Sequence, residues 1–215
     1  ADGSYSYTAD AGAGGTDRFT YRVTDTATGI SSEAVMEIAV DGTSRALTLE
    51  EGAETLVNTE TAGDQSFSQV ASLDDGGYVV VWQSNGQDGS GFGIYGQRYD
   101  GNGVKVGGEF HVSTETANDQ STPSVEGLPG GGFVVSWAGN LQDGDQYGIY
   151  AQRFDASGTK AGVEFPVNTV TAGSQVQSHI TSFANGNFLV AWTDVIANQN
   201  ATIKTRLFQA DGTPL

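Results

Sequence analysis

The chain has 215 residues, 9 basic and 26 acidic, for a net charge of -17, and it contains no cysteine. That charge repels phosphate backbones and anionic head groups, which excludes nucleic-acid binding, and no apolar run approaches the ~18 residues of a membrane span. Without thiols there is neither a disulfide framework nor a cysteine nucleophile, and with 31 glycines and short Val/Tyr/Phe/Trp/Thr runs cut by Asp-Gly and Asn-Gly the composition is that of an all-β chain.

The chain opens at Ala1 in the middle of a strand-like pattern and without methionine, as an excised piece of something longer would. Three strands are predicted before residue 43: Ser4-Tyr5-Ser6-Tyr7-Thr8, then residues 17 to 25 with Phe19, Tyr21 and Val23 on one face, then residues 34 to 40. The gaps at 9 to 16 and 26 to 32 are rich in Gly, Ala, Thr and Ser, as turns are. Three strands leave an apolar face and a sheet edge uncovered, so a partner outside the chain is expected to complete them. Residues 44 to 53 form a linker with Ala46-Leu47-Thr48-Leu49 as a short strand, and Glu50 and Glu51 are either solvated or ligands of an interdomain cation.

From residue 54 one unit is written three times, over 54 to 108, 109 to 163 and 164 to 215. Gly76-Gly77-Tyr78-Val79-Val80-Val81-Trp82 returns as Gly131-Gly132-Phe133-Val134-Val135-Ser136-Trp137 and as Gly186-Asn187-Phe188-Leu189-Val190-Ala191-Trp192, so the tryptophans stand 55 residues apart. Val57-Asn58-Thr59, Val112-Ser113-Thr114 and Val167-Asn168-Thr169 recur upstream, and Ile94, Ile149 and Ile203 downstream. A fixed period of this length marks a repeat architecture whose units bury their apolar faces against one another. Each copy is read as four strands, in the first copy at 54 to 58, 66 to 73, 77 to 84 and 93 to 99. Such a unit is a propeller-like blade, with a pseudo-threefold β-trefoil or β-prism as the alternative. Trp82, Trp137, Trp192, Tyr78, Phe133, Phe188, Ile94, Ile149 and Ile203 are the expected repeat core.

Two resemblances follow from these residues. Asp2 to Thr8 and Gly15 to Asp25, closed by an apolar third strand, resemble the C-terminal half of the cadherin-like, immunoglobulin-type modules of giant bacterial adhesins. The string from Val112 through Trp137 to Asp155 resembles the propeller-type repeats of very large, acidic, calcium-associated proteins exported by type I secretion. The resemblance implies an extracellular or cell-surface place in a Gram-negative bacterium, with neighbouring copies, adjacent domains of a longer parent chain or surface glycans as partners.

Candidate chemistry is sparse. Asp88, Asp143 and Asp145 sit in Gly/Asp-rich loops of the kind that bind calcium, although the same pairs also make plain turns. His111 and His179 fall at unmatched repeat positions, and no nucleophile elbow, zincin helix or phosphate loop is present. Glycosidases on propellers draw different residues from each blade, whereas the best-preserved positions here are common to all copies. The function expected is therefore a non-catalytic structural or adhesive segment, self-associating through β-strands, with a lectin-like carbohydrate-binding propeller or trefoil as the alternative.

Overall fold

A computed structural model describes the strands at 5–7, 14–24, 31–41 and 47–49, without their side chains, together with residues 54–196 and 200–215. Among the described residues there is no helix, and the chain divides into two compact units, Ala1–Thr55 and Leu56–Leu215.

In the first unit, β1 (Tyr5–Tyr7) pairs with β4 (Leu47–Leu49), and β2 (Gly14–Thr24) pairs with β3 (Ser31–Asp41), both antiparallel. The short strand placed in the linker thus belongs to this unit, paired in register from Tyr5↔Leu49 to Tyr7↔Leu47. Much of the expected turns, and Glu50 and Glu51, lie outside the described residues, as do the side chains that would cover a sheet face.

The second unit consists of antiparallel meanders. The first sheet runs β5 (Gln65–Ser72), β6 (Tyr78–Asn85), β7 (Phe92–Tyr99), β8 (Lys105–His111). The second runs β9 (Gln120–Gly127), β10 (Phe133–Asn140), β11 (Tyr147–Phe154), β12 (Phe165–Pro166), and the third β13 (Ser174–Ser182), β14 (Phe188–Val195), β15 (Thr202–Phe208). The hairpin after each inner strand needs a left-handed residue, which Gly76, Gly131 and Gly186 provide at φ of 82, 88 and 85°.

The strand phase differs from expectation. The strands leading into Val112 and Val167 close the preceding sheet instead of opening the next: Phe110 and His111 pair with Gly96 and Tyr95, and Phe165 with Ala151, while residues 54 to 58 form no strand. In the first sheet the closing strand packs closely, since a Cβ on Gly96 would lie 2.7 Å from the Phe110 ring, and in the second Phe165 pairs the same way with Ala151. Gly96 lets Phe110 lie across β7 and reach the aromatic rings of Phe154 and Phe133 in the next sheet, at centroid distances of 5.3 and 6.1 Å.

Sheets pack face to face in chain order. The face of the first sheet bearing Val79, Val81 and Ile94 meets the face of the second bearing Phe133, Val135 and Trp137. The opposite face of the second, with Val134, Ala138 and Ile149, meets Phe188, Val190 and Trp192 of the third. Each sheet therefore has an isoleucine face and a tryptophan face, and strand periodicity alone sorts them. Trp82, Trp137, Trp192, Phe133 and Phe188 are buried and Tyr78 is half-buried. Ile203 is the exception to the expected core: Ile94 and Ile149 are 0% exposed under the following sheet, whereas Ile203, with no described sheet after it, is 73% exposed.

Candidate functional site

The inner strands β5, β9 and β13 lie against one another in chain order, and each breaks regular pairing with the middle strand of its sheet. Each carries a bulge: the register with the middle strand shifts between Ser66 and Gln69, between Ser121 and Ser124, and between Val176 and His179. At its centre sits a non-glycine residue in left-handed backbone, Phe67 at φ 55°, Thr122 at 51° and Gln177 at 55°. For the β-branched Thr122 this is a strained conformation, of the kind that costs about 1–3 kcal/mol and concentrates at functional sites.

Neighbouring sheets hold the bulges in place. The Thr122 N–H donates to the buried Gln83 side-chain oxygen (3.0 Å), and the Ser178 and Ser136 hydroxyls are 2.8 Å apart in the interior between the second and third sheets.

The bulges frame a cavity of about 500 Å³ lined by Phe67, Gln69, Thr122, Gln177, His179 and Trp192, among others. The equivalent positions are chemically unlike: Phe67, Thr122 and Gln177 occupy one, and Gln69, Ser124 and His179 another. The frame is repeated while the lining is not. Aromatic surface beside amide, hydroxyl and imidazole groups is a setting for a polyhydroxylated ligand, which presents apolar C–H faces and hydroxyls that both donate and accept.

Along β5 a second, strongly polar recess of about 370 Å³ begins at Val70 and includes Asp74, Glu126 and Ser182. Asp74 accepts from the Gly130 N–H (2.7 Å), and one Glu126 oxygen accepts from the Ser182 N–H (3.0 Å) and hydroxyl (2.8 Å). Each carboxylate is therefore fixed by the following sheet. Each is also singular in the repeat: Asp74 stands where the other copies have Pro129 and Ala184, and Glu126 where they have Ala71 and Thr181. Sequence reasoning passed over both these carboxylates and the bulge residues, because it looked for what recurs. The signal available was the set of positions that fail to recur.

The calcium candidates separate. Asp145 uses one oxygen on the Gly173 N–H (3.0 Å) and the other on Gln146 N–H (2.9 Å), which staples its loop to the next segment and holds its carboxyl below the ordinary range. Asp88 and Asp143 each fold back to accept from Ser90 and Asp145 N–H groups and leave Oδ2 buried over Gly93 and Gly148, where any Cβ would intrude. With the neighbouring Gln87 and Gln142 carbonyl oxygens, that is two unpartnered buried oxygens per loop. Among the described residues no three acidic, histidine or cysteine side chains converge as a metal cage, whereas calcium takes 6–8 oxygens.

His111 stacks on Tyr95 at 4.7 Å, with the Ser113 hydroxyl 2.9 Å and Asp88 Oδ2 3.8 Å from the same ring nitrogen, Nε2. A relay needs the two partners on opposite nitrogens, so this is not a nucleophile triad. Burial pushes the His111 pKa below its ordinary 6.5, with Asp88 opposing and Lys160 assisting. Burial, Asp88 and Glu109 push the Tyr95 phenol up to about 12, and burial, Asp143 and Glu164 do the same to Tyr150.

Residues 1–39 match the bacterial Ig domain family, a match that supports the immunoglobulin-type reading of this segment and not the adhesin or type I secretion reading. No curated protein matches the sequence. Among solved structures, a Dyadobacter fermentans protein of unknown function aligns at 13% identity and a TM-score of 0.50 over 70% of this chain, which spans 53% of that protein's length. An endo-1,4-beta-xylanase from Bacteroides thetaiotaomicron aligns at 12% identity and a TM-score of 0.51, covering 99% of this chain and 74% of its own. An endo-arabinase from the same organism aligns at 15% identity and 0.48, covering 92% and 78%. The chain is all-β, and its sheets are propeller-like blades. The expectation of a non-catalytic structural or adhesive segment, and with it the exclusion of an enzyme, is corrected here: the fold is shared with a protein named as a xylanase, so a repeated scaffold does not exclude catalysis. Strand and turn residues common to all copies had pointed to a scaffold, but they belong to the frame and not to the inner strands where the copies differ.

Proposed function

We propose that Leu56–Leu215 is a carbohydrate-active propeller segment of three blades that binds a neutral glycan at the bulges of its inner strands. The observation that carries this reading is the cavity of about 500 Å³ with an unrepeated lining on a repeated frame. Phe67 presents apolar surface to a sugar ring, while Gln69, Gln177 and His179 exchange hydrogen bonds with hydroxyls. Asp74 and Glu126, in the adjoining recess, are the two carboxylates that glycoside hydrolysis uses. The fold likeness to the xylanase supports a xylo-oligosaccharide as the first ligand to try. The working place is the exterior or surface of a Gram-negative bacterium, with the glycans there as partners.

Titration calorimetry with xylotetraose, alongside reducing-end release from xylan, tests this. Gln177→Ala and His179→Ala are expected to weaken binding roughly 2- to 10-fold each, the span of a single net hydrogen bond. Asp74→Asn and Glu126→Gln are expected to abolish release and spare binding. Binding that ignores both bulge substitutions, or no binding of any neutral oligosaccharide, rejects the reading.

A further inference from the structure

The third sheet departs from the repeat at three neighbouring positions on its tryptophan face. Asp194 stands where the first two sheets have Ser84 and Gly139, Lys204 where they have Tyr95 and Tyr150, and Arg206 where they have Gln97 and Gln152. The register puts all three on one surface beside Trp192, because Lys204 pairs with Trp192 and Arg206 with Val190.

They line a recess of about 320 Å³, roomy for one sugar ring, together with Asn168 and Gln175. Its polar floor is fixed. Asn168 accepts from the Ile149 N–H (2.6 Å) and donates to Gln175 (3.1 Å), which donates to Asp194 Oδ1 (3.0 Å). Lys204 Nζ lies 2.7 Å from Asp194 Oδ2, and Asp194 is 2% exposed. Burial works to raise the Asp194 pKa, but hydrogen bonds from Lys204 and Gln175 outweigh it and hold the carboxyl ionised, below its ordinary value. Arg206 is oriented as well, donating to the Val167 carbonyl (2.8 Å) with its guanidinium 5.4 Å from the Phe208 ring.

Asp194 neutralises one of the two cations, so the recess keeps one net positive charge in a chain whose net charge is -17 and which has only 9 basic residues. Lys204 retains donors beyond the one on Asp194, and Arg206 keeps the far side of its fork. Two oriented cationic donors beside amides and an indole suit a ring that carries a carboxylate.

We propose that this recess binds a uronic acid unit of a glycan, its carboxylate on Lys204 and Arg206 and its hydroxyls on the amide floor. The proposal rests on the carbohydrate-active reading above but concerns a different face of the third sheet and a differently charged sugar.

Calorimetry of the full chain with digalacturonate, xylobiose and acetate tests it. Digalacturonate is expected to bind, with affinity falling as salt is raised, while xylobiose leaves this site empty and acetate at equal concentration does not compete. Arg206→Gln, which restores the residue of the other sheets and leaves the Asp194–Lys204 pair whole, is expected to weaken digalacturonate about 10- to 100-fold, the span of a charge-assisted hydrogen bond. The triple reversion D194G/K204Y/R206Q gives the third sheet the residues Gly139, Tyr150 and Gln152 that the second already accommodates, so its melting temperature reports folding independently; it is expected to abolish uronate binding. Equal binding by wild type and Arg206→Gln, or full displacement by acetate, overturns the proposal. Xylotetraose binding that responds to His179→Ala and not to Arg206→Gln, with no uronate binding, removes this proposal and leaves the bulge site standing.

Discussion

Within each sheet of the second unit, the middle strand and the inner strand are under opposite constraints. β6, β10 and β14 repeat an apolar sequence ending in tryptophan, because each must fill the gap to a neighbouring sheet of the same design. β5, β9 and β13 share a bulge and a left-handed residue at equal spacing yet share almost no side chains there. The difference teaches where to look in a repeat protein: packing keeps what must be alike, and a site on the adjacent inner strands is built from what is free to differ.

The sharpest break in that comparison is Trp137→Ala. Trp137 is fully buried between two sheets, so its loss is expected to cost about 3–5 kcal/mol in urea unfolding, whereas Gln177→Ala on the inner strand should leave the midpoint nearly unchanged. Next comes a pair at one repeat position. Ile149→Ala, under the third sheet, should cost about 2–5 kcal/mol, and Ile203→Ala, on the open face, under about 0.5 kcal/mol. Equal losses would mean that Ile203 is covered.

A pH series adds a third test. The folded-state pKa of His111 is depressed, so between that value and the ordinary 6.5 the unfolded chain binds more protons than the folded one. The stability linked to His111 is therefore complete above about 6.5 and is lost as pH falls below it. A melting curve series from pH 8 to 5 should show this decline, and His111→Gln should flatten it in that window. A small effect is expected from Thr122→Gly, where relief of left-handed strain and the greater entropy lost by glycine nearly cancel, for a gain of at most about 1 kcal/mol.

Much of the frame was legible in the sequence. The 55-residue spacing, the alternation around the tryptophans and the glycines of the inner hairpins forecast the middle strands to within a residue or so, since each signal is local. The phase of the fourth strand was not legible, because it is set by pairing with β7 and β11, which the local pattern around Phe110 and Phe165 does not show. Nor were the bulges: Phe67, Thr122 and Gln177 carry no glycine-like sign of a positive φ, and the strain is held by contacts from other sheets such as Gln83 to Thr122. Asp74 and Glu126 carry no mark in the sequence, because only the packing of adjacent sheets brings them to one recess.

The most direct test of a glycan site on the variable inner strands is hydrogen exchange of the whole chain with and without xylotetraose. Protection gained in the peptides spanning 66 to 69, 121 to 124 and 176 to 179, with the middle strands unchanged, is the result this account predicts. Protection spread evenly over the sheets, or confined to the 85 to 91 and 140 to 146 loops, would contradict it.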